Sequence, residues 1–120
     1  MRASGEVLGD FLGLAKAALD DGGDDQKNVA AVLVAASFED TIRRLAAAKT
    51  AVSDRPRLED VVRILNLKVN EVLIGASVAT AVGYVKFRND ALHADWKNIQ
   101  PAAVTSCMAL VEGLLQQHFA

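Results

Sequence analysis

The sequence predicts an all-α fold, an up-and-down bundle of about five helices within one domain spanning residues 1–120. Three observations predict it. Apolar residues recur at three- and four-residue steps through most of the chain, the period of a helix with one buried face. The 8 glycines and 2 prolines mostly punctuate these periodic stretches. The composition is 52% hydrophobic but only 5% aromatic, so the core must be made of Ala, Val, Leu and Ile. Alanine loses no side-chain entropy in a helix and lets helices approach closely. A chain of 120 residues can bury such a core without disulfides or metals.

The first helix starts after Ser4, a candidate N-cap, with Glu6 in its first turn. Its apolar positions are Val7, Leu8, Phe11, Leu12, Ala15, Ala18 and Leu19, and Gly22-Gly23 ends it. Asp24 and Asp25 then suit the positive end of a second helix, expected from about Asp25 to about Lys49. The stretch from Val29 to Phe38 is apolar all round, which predicts a rod buried on every side. Beyond it Ile42 and Leu45 point inward and Glu39, Asp40, Arg43 and Arg44 outward. Pro56 opens a third helix, with Asp54 to cap it and Leu58, Val61, Val62 and Leu65 inward. Residues 66–75, with Leu67, Val69, Val72, Leu73 and Ile74, fit a short extended piece, a bent helix or a loop packed on the core, and an irregular connection is the favoured expectation. The fourth helix is expected over about Ala76 to His93, with Val78, Val82, Val85 and Leu92 inward. Pro101 opens the fifth, where Val104, Met108, Val111, Leu115 and Phe119 form an apolar stripe.

Charge and special residues narrow the function. The formal net charge is −2, which argues against bulk electrostatic capture of nucleic acid but leaves room for a local basic cleft. Cys107 is the single cysteine, and with His93 and His118 it makes no plausible zinc set, so neither a metal nor another cofactor is expected. One unpaired cysteine fits a reducing, cytoplasmic setting. Glu6, Asp10 and Lys16 interrupt the N-terminal apolar residues, so no signal peptide is expected. The run from Val29 to Phe38 is about half the length needed to span a bilayer, and no membrane association is expected. The acids Asp20, Asp21, Asp24 and Asp25 lack the ligand spacing of a calcium loop.

The segment with chemical content is Phe87-Arg88-Asn89-Asp90-Ala91-Leu92-His93-Ala94-Asp95-Trp96. Arg88 and His93 are five residues apart, about 500° around a helix, which leaves them about 140° from a shared face. To act together they need a helix break near His93 or a second copy of the chain. Asp95, Trp96, Asn98 and Pro101 predict that the helix ends soon after the histidine.

This segment resembles the R-x-x-x-x-H signature of HEPN domains, small α-helical modules. Asn89 matches the polar residue that follows the arginine in catalytic members, and Ala94-Asp95-Trp96 resembles the tail found in bacterial relatives. The long apolar second helix running into Glu39-Asp40-x-x-Arg43-Arg44 is similar to the second helix of that family. The resemblance implies a metal-independent endoribonuclease that works at a homodimer interface, in a toxin–antitoxin or phage-defence setting with a cognate antitoxin or regulatory protein. It implies Arg88, Asn89 and His93 as catalytic residues, with Glu39, Asp40 and Arg43 in support. RNA carries its own nucleophile, the 2′-hydroxyl, so such a protein need only move protons and stabilise charge. An imidazole titrates near neutrality and suits the first task; a guanidinium fork matches the phosphate and suits the second.

Plainer roles compete for the same residues. Arg88 can pair structurally with Glu39 or Asp40, Asn89 can bond a helix terminus, and His93 can cap a helix end. Trp96 reads better as a packing anchor than as a base-stacking platform, and Cys107 as core filling. The alternative function is then a non-catalytic HEPN module that binds a protein or nucleotide as a regulator or scaffold.

Overall fold

The computed structural model describes residues 5–49 and 76–119, and every regular element among them is helical. In chain order these are α1 (Gly5–Asp21), α2 (Asp24–Lys49), α3 (Ala76–Leu92), a 3-10 turn (Trp96–Asn98) and α4 (Pro101–Phe119). They match four of the five expected helices, each to within one or two residues. The helix expected from Pro56, the connection at 66–75 and the Ser4 cap lie outside the described residues. No helix among those described is long and apolar enough to cross a membrane.

Local chemistry fixes the turns. Gly22 and Gly23 have φ of +83° and +92°, a left-handed region that costs a side-chain-bearing residue energy. Gly22 N–H still donates to Ala18 O at 3.2 Å, closing α1, and Gly23 O accepts Lys27 N–H at 3.0 Å, opening α2. Asp24 and Asp25 lie in the first turn of α2, where their charge meets the helix dipole favourably. Pro101 starts α4, where its missing N–H is no loss.

Helix α2 is the central element and packs against α1, α3 and α4. Its buried apolar positions are Ala30, Ala31, Val34, Ala35, Phe38, Ile42 and Leu45, a three- and four-residue rhythm. Phe38 is fully buried and meets the Tyr84 ring edge-on, at 6.1 Å between centroids and 74° between planes. From α4, Val104, Cys107, Met108, Val111 and Leu115 complete the core. Burial pushes the Cys107 thiol up to about 12, so the thiol stays protonated at neutral pH.

Three expectations of burial are corrected. The apolar stretch of α2 is not covered all round: Val29 is 50% and Val32 48% exposed, because α1, α3 and α4 leave one stripe of the helix open. Phe11 lies at the edge of the α1 face and is 36% exposed, while Leu12 and Ala15 take the core positions. Leu92 is 65% exposed; it is the last residue of α3, and Ala91 takes the inward place.

Candidate active site at the α2–α3 seam

Antiparallel packing of α2 and α3 brings residue 39 beside residue 88. Phe38 is anchored in the core, and this holds Glu39, the next residue, at the seam where Arg88 of α3 arrives. Arg88 grips one carboxylate oxygen twice: Nε donates to Glu39 Oε1 at 2.8 Å and Nη2 lies 2.6 Å from the same atom. Arg43, one turn further along α2, donates its Nε to Glu39 Oε2 at 3.0 Å. The Glu39 carboxylate is thus held between two guanidinium groups, all three side chains being roughly a quarter exposed. Asp40 is half-buried on the next position and takes no hydrogen bond from Arg88.

Arg88 is also tied to its neighbour, Nη1 donating to Asn89 Oδ1 at 2.8 Å. A guanidinium has five N–H donors, and these bonds use three, which leaves one on each terminal nitrogen. Beside Arg88 and Glu39 is an apolar cavity of about 150 Å³, walled by Val32, Ala35, Ala36, Ala91 and Leu92.

The end of α3 places His93. Its backbone N–H donates to Asn89 O at 3.0 Å, keeping the last helical bond, and the chain then reverses through Ala94 at φ +55°. Asp95 N–H donates back to Asp90 O at 2.8 Å and Ala94 N–H to Ala91 O at 3.2 Å. This pair of bonds is a Schellman closure, built here on alanine where glycine is usual. His93 is therefore the cap residue of α3, and its exposed side chain bonds no described residue. Replacing Ala94 with Gly relieves the left-handed backbone and is expected to stabilise the fold by about 0.5–1 kcal/mol. Urea unfolding measures it; a lower midpoint for Ala94→Gly would contradict the strain.

Within one chain, then, Arg88, Asn89, Glu39 and Arg43 form one network, and His93 stands apart from it. No hydrogen bond joins Arg88 to His93, and His93 does not line the cavity beside the guanidinium. The structural pairing weighed for Arg88 is realised with Glu39, and Asn89 bonds the arginine where a helix terminus was the plainer expectation. Trp96 is partly buried against the core, as a packing anchor would be. A further tie went unread in the sequence: Lys27 Nζ donates to Trp96 O at 3.1 Å, joining the start of α2 to the turn after α3. Those residues are 69 positions apart, and nothing in local spacing signals the bond. The Glu39–Arg43 bond, by contrast, is a four-residue helical pair that spacing does signal.

Burial raises the Glu39 pKa, but hydrogen bonds from Arg43 and Arg88 and their charges outweigh it and hold the carboxyl below its ordinary 4.5. The folded-state value is the lower one, so ionised Glu39 contributes stability above the ordinary value, and this is lost as pH falls through the folded one. Stability measured by denaturant from pH 7 downward is expected to decline in that acid window, and less steeply in Glu39→Gln. Equal slopes for the two proteins would remove Glu39 from the account.

Among the described residues no three His, Cys, Asp or Glu side chains gather as metal ligands would. Compared with models of protein families, with curated proteins and with solved structures, the chain matches none.

Proposed function

We propose that this protein is a metal-independent endoribonuclease of HEPN type, acting as a homodimer in a toxin–antitoxin or phage-defence setting, cytoplasmic and controlled by a cognate antitoxin or regulatory protein. The observation that carries the reading is the Arg88-Asn89-x-x-x-His93 segment at an open helix end. There the guanidinium, held from behind by Glu39, keeps two N–H donors, and the imidazole faces solvent.

In this reading two copies of α3 lie near a two-fold axis, so that Arg88 and His93 segments from both chains line one groove. The exposed apolar side chains Val32 and Leu92, beside Arg88, are suited to such a contact. His93 takes the proton of an RNA 2′-hydroxyl as the oxygen attacks phosphorus, or returns one to the leaving 5′-oxygen. Arg88 donates to the phosphoryl oxygens as charge builds in the transition state. Asn89 orients the guanidinium, while Glu39 and Arg43 set its direction. The products carry a 2′,3′-cyclic phosphate and a 5′-hydroxyl, and DNA is inert.

Mixed cellular RNA incubated with the purified protein and a chelator, followed by end analysis, tests this. Cyclic-phosphate and 5′-hydroxyl ends are expected, from a protein that light scattering finds dimeric. A strict monomer, or ends bearing a 3′-hydroxyl and 5′-phosphate, would refute it.

One observation favours a second reading, a non-catalytic HEPN module that binds a protein or nucleotide. The Arg88–Glu39–Arg43 network is an ion cluster that forms without any substrate. On that reading Arg88→Ala lowers stability and the parent protein cleaves no RNA.

A further inference from the structure

The α1–α2 side of the bundle carries an open groove of about 780 Å³, unrelated to the Arg88 network. Leu14, Ala17, Val29 and Leu33 line it, with Asp20 and Asp21 at one end. Leu14 is 60% and Val29 50% exposed, which places two large apolar side chains in water on facing helices. Beyond Asp20 and Asp21 the chain turns through two glycines into Asp24 and Asp25, so four exposed carboxylates fall within six residues. None of the four forms an ion pair among the described residues. Lys27, the nearest cation in sequence on α2, is committed to Trp96 O. The turn holds −4 in a chain of net −2, so everything else sums to +2.

We propose that this groove docks an amphipathic helical segment of a partner protein, with apolar residues between Leu14 and Val29 and Lys or Arg residues over Asp20, Asp21, Asp24 and Asp25. Charge selects the occupant. An RNA strand or an anionic membrane would be repelled by the acidic turn, and a second copy related by a two-fold axis would bring another set of the same carboxylates. A cationic helix gains on both counts, since its apolar stripe enters the groove while its basic end neutralises the turn. This site is independent of the ribonuclease reading and survives its failure.

The probe is a synthetic helical peptide of about 18 residues with Leu at i, i+3, i+4 and i+7 and four Lys at one end. Two control peptides replace the Lys with Glu or scramble the Leu register. Binding is followed by fluorescence anisotropy at low and high salt, with amide shifts mapping the surface. Saturable binding is expected, with shifts on α1 and α2 around Leu14 and Val29. The Glu and scrambled peptides should bind at least 10-fold more weakly. Val29→Ser should weaken binding similarly. The quadruple Asp→Asn variant at 20, 21, 24 and 25, which leaves the apolar groove intact, should remove most of the salt dependence. Equal binding of all three peptides, shifts elsewhere, or no effect of either variant would overturn the proposal. So would a dimer of the free protein that Val29→Ser dissociates, since the occupant would then be a second copy.

Discussion

Changing His93 to Ala is expected to lower RNA cleavage by about 100- to 10,000-fold, the range that a positioned acid or base contributes. The fold should not register the change, because the His93 side chain is exposed and bonds no described residue. Helix content and thermal midpoint are therefore expected to match the parent, and a gel assay with matched protein concentrations reads the loss. Arg88→Ala is a less clean test. It removes the guanidinium that binds both Glu39 and Asn89, so lost activity would mix with lost structure. Unchanged cleavage by His93→Ala would reject the proposed chemistry without disturbing the account of the fold.

The largest effect on stability is expected from Phe38→Ala. Phe38 is fully buried on the central helix, with Tyr84 of α3 edge-on against it. Truncation removes the ring, opens a cavity and takes away the aromatic pair, at a cost of about 3–5 kcal/mol. Domains of this size are stable by about 5–15 kcal/mol, so the loss is a large share of the total. A fall in thermal midpoint of roughly 10–20 °C is expected, read by circular dichroism. The same ring anchors the turn of α2 that presents Glu39, so activity should fall even where the variant stays folded. A shift of only a few degrees would mean that α2 and α3 are held together elsewhere.

What was legible in the sequence followed from period and punctuation. Gly22-Gly23 and Pro101 marked helix ends because their backbones are special there, and the structure has helix boundaries beside them. Inward positions such as Ile42, Leu45, Val104 and Val111 were readable because a helix buries every third or fourth residue. Val29 and Val32 were misread because composition reports how apolar a stretch is, not how many neighbours it has. Leu92 was misread because period alone does not tell where a helix outruns its cover. The end of the helix soon after His93 was legible in Asp95, Trp96, Asn98 and Pro101, but the reversal there turns on a left-handed Ala94, which carries no signal in its identity. The Arg88–Glu39 bond spans 49 positions and was visible only as one of two acidic choices. In the proposed homodimer, convergence of Arg88 with His93 would be a property of two chains, which one sequence encodes only indirectly.

The most direct test of the central claim mixes two inactive proteins. If Arg88 of one chain works with His93 of the other, Arg88→Ala and His93→Ala subunits form heterodimers in which one site is whole. Random pairing makes half the dimers mixed, each with one of two sites intact, so about a quarter of parental RNA cleavage is expected to return. A mixture that stays at the level of its inactive components, after exchange of subunits has been verified, would contradict a site shared between chains.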